Sequence, residues 1–188
     1  MPPKSKITKD MIVNAAVEVI RESGFENMNV RTVAGQLHCS TQPVMYHFPT
    51  VESLKRAAYH AVDQQHTDFL MNTPPGQDPI PGIGLNYIRF AVEEPHLFRF
   101  LFQSGYAAEN NLADMIDSEE LRPVLAAMQE GLDADLKTTK EVFLTVALFA
   151  HGYASIIANN SLEYDESLIA AQLERVWNGA VYAAGQEE

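Results

Sequence analysis

Apolar residues recur along this chain at intervals of three and four, and nowhere in the alternation of two that a half-buried strand requires. From Thr8 or Lys9 the series Ile12, Ala15, Ala16, Val19 and Ile20 predicts an amphipathic helix, stopped at Gly24 with Phe25 packing back on it. Asn29 is a good N-cap, and Val30, Val33, Ala34 and Leu37 then occupy i, i+3, i+4 and i+7 of a second, short helix. His38 and Cys39 read as a tight turn. Ser40 caps a third helix whose first turn holds Thr41, Gln42 and Pro43, the part of a helix where proline breaks no hydrogen bond. Three helices in about fifty residues, the second and third joined by a tight turn, make a helix-turn-helix unit.

The rest of the chain reads as further helices, so the fold class is all-α. A fourth helix is expected from about Thr50 to Met71, and the run Asn72-Thr73-Pro74-Pro75-Gly76-Gln77-Asp78-Pro79 is a break and a candidate hinge. A fifth helix leads to Glu94. Pro95 then opens an aromatic segment, His96-Leu97-Phe98-Arg99-Phe100-Leu101-Phe102, which ends at Ser104-Gly105. Ser118 is the expected cap of a helix with Leu121, Val124, Leu125, Met128 and Leu132 on one face. Thr138 and Glu141 suggest a capping box for the next helix, and Asp165 begins the last, with Ile169, Leu173, Val176 and Ala180 in register.

The signals between Thr8 and Lys55 occur in an order that resembles the TetR family of bacterial repressors. They are a helix ending in Gly24-Phe25, then Asn29-Val30-Arg31, Val33-Ala34, Ser40, Tyr46-His47-Phe48-Pro49 and Glu52-Ser53-Leu54. Past the first helix of the second domain the likeness is architectural only. The resemblance implies a helix-turn-helix DNA-binding domain over residues 1–50 and a helical effector-binding and dimerisation domain over 51–188. It also implies an inverted-repeat duplex operator, a small-molecule effector and a homodimer. Two positions depart from the family pattern: His38 stands where the turn usually has glycine, and Val51 where the fourth helix usually opens with a phosphate-gripping lysine. Lys55, one turn later, is the available substitute.

In a helix-turn-helix the third helix enters the major groove, so hydrogen-bonding side chains on it are candidate base readers. Thr41, Gln42, Tyr46 and His47 are such residues, with Pro43 shaping the first turn and Asn29, Arg31 and Lys55 placed for phosphate or groove edges. Met45 reads as a core filler. Charge sharpens this picture. The chain carries −12 overall, yet residues 1–60 hold seven basic against five acidic side chains, which leaves −14 on the remainder. An acidic chain is repelled by DNA as a whole, so contact must rest on the basic N-terminal arm and a few local cations.

The segment 139–158 is apolar around its whole circumference, and one small domain cannot cover such a helix alone. Such a helix is either central or shared with a partner, and the resemblance implies that it forms the dimer interface together with the last helix, through Phe149, Ile156, Leu173, Val176 and Ala180. Its most apolar part, Val142 to Ala158, is interrupted by Thr145, His151, Gly152 and Ser155 and reads as a buried helix too short for a bilayer span. Aromatic excess points to an apolar effector pocket in the second domain, lined by some of Phe69, Phe90, Phe98, Phe102, Phe149 and Tyr153, with His151 as the polar contact. The acidic balance favours a cationic or neutral lipophilic ligand.

Catalytic and metal chemistry find little support. Glu93-Glu94-Pro95-His96 spells a Glu-x-x-His, but Pro95 breaks the helix that would bring both ligands to one face, so no metal and no cofactor are expected. There is no glycine-rich phosphate loop and no nucleophile context. The one cysteine, Cys39, precludes an internal disulfide, and with no signal-peptide pattern this fits a reducing cytoplasm, with Cys39 a small buried hydrophobe. Two rival readings stand beside the repressor: an all-α ligand-binding or protein-interaction module without operator binding, and a small all-α enzyme.

Overall fold

The computed structural model describes residues 7–73, 79–106, 115–119, 121–160 and 162–186, and among these it contains nine α-helices and no strand. They are α1 (Lys9–Ser23), α2 (Val30–Gln36), α3 (Thr41–His47), α4 (Val51–Met71), α5 (Pro79–Glu93), α6 (Pro95–Gln103), α7 (Arg122–Leu132), α8 (Leu136–Asn160) and α9 (Glu166–Ala184), with a 3-10 turn at Phe25–Asn27. Most of the proline-rich break lies outside the described residues, since 74–78 fall there.

The chain forms two compact units: residues 1–65 with 94–107, and residues 66–93 with 108–188. The first therefore takes in most of α4 and all of α6 as well as the helix-turn-helix. In this unit α1 packs on α2 and α6, and α2 packs on α3. Ile12, Ala16 and Ile20 of α1, Val33, Val44, Leu54 and Ala58 are at most 3% exposed, as are Leu97, Phe98, Phe100 and Leu101 of α6. The Thr8 hydroxyl caps α1 by accepting from the Met11 N–H, and the helix stops at Gly24, whose φ of 85° and ψ of 157° suit a residue without a Cβ. Phe25 meets the ring of Phe100 at 5.7 Å, so the hydrophobic contact expected on α1 is made with α6.

In the second unit α8 is the centre, packed by α5, α7 and α9. Leu70, Ile83, Val124, Met128, Val142 and Ala180 form a common core. Two expected caps are displaced. Ser118 does not start α7, which begins at Arg122 after Leu121, with Pro123 in its first turn to set the starting φ. Asp135, not Thr138, caps α8, because its carboxylate accepts the Thr138 N–H at 2.8 Å and so fixes the helix start at Leu136. Those bonds hold the Asp135 carboxyl below the usual range. The cap of α9 is Asp165, which accepts from the Leu168 N–H at 3.0 Å.

The early cap makes α8 longer than its apolar segment. At 25 residues it is long and apolar enough to cross a membrane by length and composition, which corrects the expectation of a segment too short to span. It is also not buried all round: Thr139, Val142, Ala150, Ala154, Ile157 and Ala158 face the core, while Leu148 is 54% and Ile156 49% exposed.

Candidate functional site

The geometry of the head begins at the start of α2. Asn29 Oδ1 accepts the N–H groups of Arg31 and Thr32 at 2.9 and 3.1 Å, and Thr32 Oγ1 returns the bond to the Asn29 N–H, a complete capping box. Asn29 Nδ2 donates to the Asn27 carbonyl at 3.1 Å, so this side chain builds the helix start with both of its ends. At the other end the Cys39 N–H reaches the Ala34 carbonyl and the His38 N–H the Gly35 carbonyl, each at 3.0 Å. That pair of bonds is a Schellman motif. Its left-handed position falls on His38, with φ of 50°, where glycine would be unstrained. Cys39 follows it half-exposed rather than buried, because it lies just beyond the helix end.

The motif aims α3. Val44 is its buried anchor, and Thr41, Gln42 and Tyr46 are exposed, Tyr46 by 81%. Pro43 is half-buried in the first turn, where its missing N–H costs nothing. Ser40 occupies the N-cap position without a side-chain bond. Met45 is 45% exposed and stands on the outer surface, which corrects its reading as a core filler. His47 is different again: its Nε2 lies 3.1 Å from the Ile7 carbonyl, and its ring meets Tyr46 edge-on at 5.2 Å. Arg31 is exposed on α2 and Lys55 half-buried on α4. Thr50 caps α4 through the Ser53 N–H at 3.0 Å, leaving Val51 exposed as its first residue.

The residues expected to line an effector pocket are divided between the two units. Phe98 and Phe102 pair at 4.8 Å in the first, because Pro95 restarts the helix and α6 packs against α1. Phe69, Phe90, Phe149, His151 and Tyr153 are in the second. Phe69 and Phe90 meet at 5.4 Å, and Phe149, His151 and Tyr153 are half-buried on α8. Beside them is a polar cluster that periodicity does not show. His66 packs edge-on against Phe90 at 4.9 Å and Tyr87 at 5.4 Å, and its burial lowers the imidazole pKa to about 4. Tyr87 Oη and His151 Nδ1 share a hydrogen bond of 2.8 Å, and His151 Nε2 shares one of 3.2 Å with Ser155 Oγ. Burial lowers the His151 pKa and raises that of Tyr87, so both groups are neutral at pH 7. A neutral imidazole has one donor and one acceptor nitrogen, so the three hydroxyl and ring groups form a chain that runs in one direction at a time. Asn86 Nδ2 donates to the carbonyls of Phe69, Leu70 and Asn72 at 3.2–3.3 Å and closes the end of α4.

Sequence reasoning named His151 but missed Tyr87, Ser155, His66 and Asn86. His66 follows Gln64-Gln65 and resembles a solvated face; only its offsets from Val62 and Leu70, four residues each way, hint at burial. Of the residues assigned to a dimer interface, Ile156 is exposed and Phe149 and Val176 are half-buried. Leu173 and Ala180 are 4% and 8% exposed and belong to the core of their own unit, because α9 turns that face toward α5 and α8. The outer face of α9 carries Leu168 and Tyr182 instead, 53% and 71% exposed. Glu93 ends α5 and His96 lies in α6, so the Glu-x-x-His pair is split between helices.

A sequence profile described as tetracyclin repressor-like, C-terminal domain, matches residues 80–178. No curated protein matches the sequence. A TetR-family transcriptional regulator from Streptomyces coelicolor has a similar structure, with a TM-score of 0.75 at 14% identity over 95% of this chain and 82% of that one. A putative transcriptional regulator from Pseudomonas aeruginosa PAO1 gives 0.68 at 16% identity, covering 95% and 92%. The multidrug binding protein EbrR, solved in complex with malachite green, gives 0.61 at 18% identity, covering 93% and 98%.

Proposed function

The chain belongs to the TetR family, and from that premise we propose that it is a transcriptional regulator: a cytoplasmic homodimeric repressor that leaves its duplex operator when a small lipophilic molecule binds. The observation that carries the DNA-binding part is α3, a short helix with Val44 buried and Thr41, Gln42 and Tyr46 turned outward together. Gln42 is the base reader, since its amide can pair with adenine at both N6 and N7. Arg31 and Lys55 grip phosphates, and Asn29 holds the start of α2 from which Arg31 projects.

Dimerisation is proposed through the outer faces of α8 and α9, where Leu148, Ile156, Leu168 and Tyr182 leave apolar surface in water, flanked by Phe149 and Val176. Two-fold symmetry then calls for an inverted-repeat operator with half-sites about 34–36 Å apart, or a multiple of that spacing. The effector site lies in the second unit by Phe69, Phe90, Tyr87 and His151. Phe98 and Phe102 are outside it. The complexes of EbrR with malachite green and ethidium, both aromatic cations, support this ligand class, as do aromatic faces and the acidic balance of the region.

The test is selection of bound sequences from random duplex DNA with the purified protein. An inverted repeat is expected, and Gln42→Ala is expected to cost roughly 1–3 kcal/mol on it and to relax preference at one base pair of each half-site. Equal binding of all sequences, with no effect of Gln42→Ala, would sink the assignment of α3 as the reader.

A further inference from the structure

We propose that Gly35 is the point at which the sugar-phosphate backbone of the operator lies against α2, with Arg31 holding the phosphate seated there; the proposal rests on the DNA-binding reading above. A glycine inside a helix costs stability relative to alanine, so it calls for a reason. Two reasons internal to a chain are common, a left-handed backbone and a lack of space, and neither applies. Gly35 is the penultimate residue of α2 and has no positive φ, unlike Gly24 and Gly105. A Cβ built on Gly35 would meet nothing within 4 Å, whereas one on Gly24 would come within 3.1 Å of the His96 ring and one on Gly84 within 3.5 Å of Leu173. Gly35 is also exposed. The fold would therefore accept a side chain at this position, and the bare surface has its use outside the chain.

The helix itself says what that surface faces. Arg31 and Gly35 are four residues apart and both exposed, on one stripe of α2, while Val33 and Ala34 are buried in the core. Side chains on a helix lean toward its N-terminus, so a side chain at 35 would cover the surface beside Arg31. Glycine leaves that surface open. The Gly35 carbonyl is held in turn by the His38 N–H at 3.0 Å, in the bend that leads to α3. In a helix-turn-helix the first of the two helices crosses the DNA backbone while the second enters the groove, so a bare patch beside an exposed guanidinium fits a phosphate. Each phosphate neutralised releases counterions from the duplex, and in a chain of net charge −12 the loss of one such contact is felt.

The experiment measures urea unfolding, and operator affinity of the full chain against salt, for wild type, Gly35→Ala, Gly35→Leu, Arg31→Ala and the combination of Arg31→Ala with Gly35→Leu. Gly35→Ala is expected to raise the urea midpoint by about 0.4–0.5 M and yet to weaken operator binding. Leucine is also a good helix former but much bulkier. Gly35→Leu is expected to unseat the phosphate and lower the slope of log K on log salt by about 0.9, so that the affinity lost between 50 and 200 mM salt shrinks about 3.5-fold. Arg31→Ala is expected to lower the slope by the same amount, and the combination by no more. The proposal is overturned if Gly35→Leu keeps the affinity and slope of wild type, or if it removes a further increment of slope in the Arg31→Ala background. It is overturned too if Gly35→Ala fails to raise the urea midpoint, since the glycine would then serve the fold. A wild-type protein that selects no sequence would overturn the DNA-binding reading itself, which is a different outcome.

Discussion

His38 is the most exposed point of disagreement between this sequence and its own fold, and replacing it with glycine measures the disagreement directly. The Schellman bonds that end α2 hold residue 38 at φ 50°, a left-handed conformation. For an L residue with a Cβ that conformation costs roughly 1–2 kcal/mol. Glycine removes the cost but gives up roughly 0.5–1 kcal/mol of chain entropy on folding. Because the His38 side chain is exposed, little packing offsets the balance, and His38→Gly is expected to stabilise the head by about 0.5–1 kcal/mol. The assay is urea unfolding followed by circular dichroism. With a slope near 2 kcal/mol/M the midpoint rises by about 0.3–0.5 M at unchanged slope. His38→Ala is the control, since it also removes the imidazole yet keeps the Cβ, and it is expected to stay close to wild type. Identical midpoints for the glycine and alanine variants would refute the reasoning, because the turn would then impose no left-handed strain.

Three further outcomes follow from other parts of the molecule. Asn86→Ala takes the amide donor from the carbonyls of Phe69, Leu70 and Asn72, of which Phe69 still accepts the Asn72 N–H and Leu70 makes the buried bond, and is expected to cost about 1–3 kcal/mol, read as a lower urea midpoint; an unchanged midpoint would mean that water replaces the amide freely. His66 has a folded-state pKa of about 4 against 6.5 for the free side chain, so the unfolded chain binds the extra proton between those values. Stability is therefore full above pH 6.5 and is lost as pH falls toward 4, by up to about 3 kcal/mol, and His66→Gln is expected to flatten that part of the stability profile; an unchanged profile would assign the loss to other groups. Ile156→Glu places a charge on the outer face of α8 and is expected to convert a dimer to a monomer in light scattering at micromolar concentration, whereas a wild type that is monomeric there would end the dimer proposal.

Local chemistry determined the head. The caps at Thr8 and Asn29, the stop at Gly24 and the three-four spacing of Ile12, Ala16 and Ile20 in α1 and of Val30, Val33 and Leu37 along α2 act over at most one or two turns, so each can be read from neighbours in sequence. The left-handed residue at 38 was legible for the same reason, as a departure from a pattern that prefers glycine. Capping chemistry was misread at Thr138, where the competing Asp135 supplies the bond, and at Ser118, where the helix starts later after Leu121, while Ser40 holds its N-cap position without a side-chain bond. What the tertiary structure decided was the partner of each apolar face. Periodicity says that α6 and α9 each have a buried side but not which unit covers it, so Phe98 and Phe102 went to the first unit and Leu173 and Ala180 into the core of the second. The same holds for long-range polar bonds. His47 and Ile7, Tyr87 and His151, and Asn86 with the end of α4 meet only after the helices have packed, and no spacing along the chain encodes a hydrogen bond whose two ends are brought together by the burial of other residues.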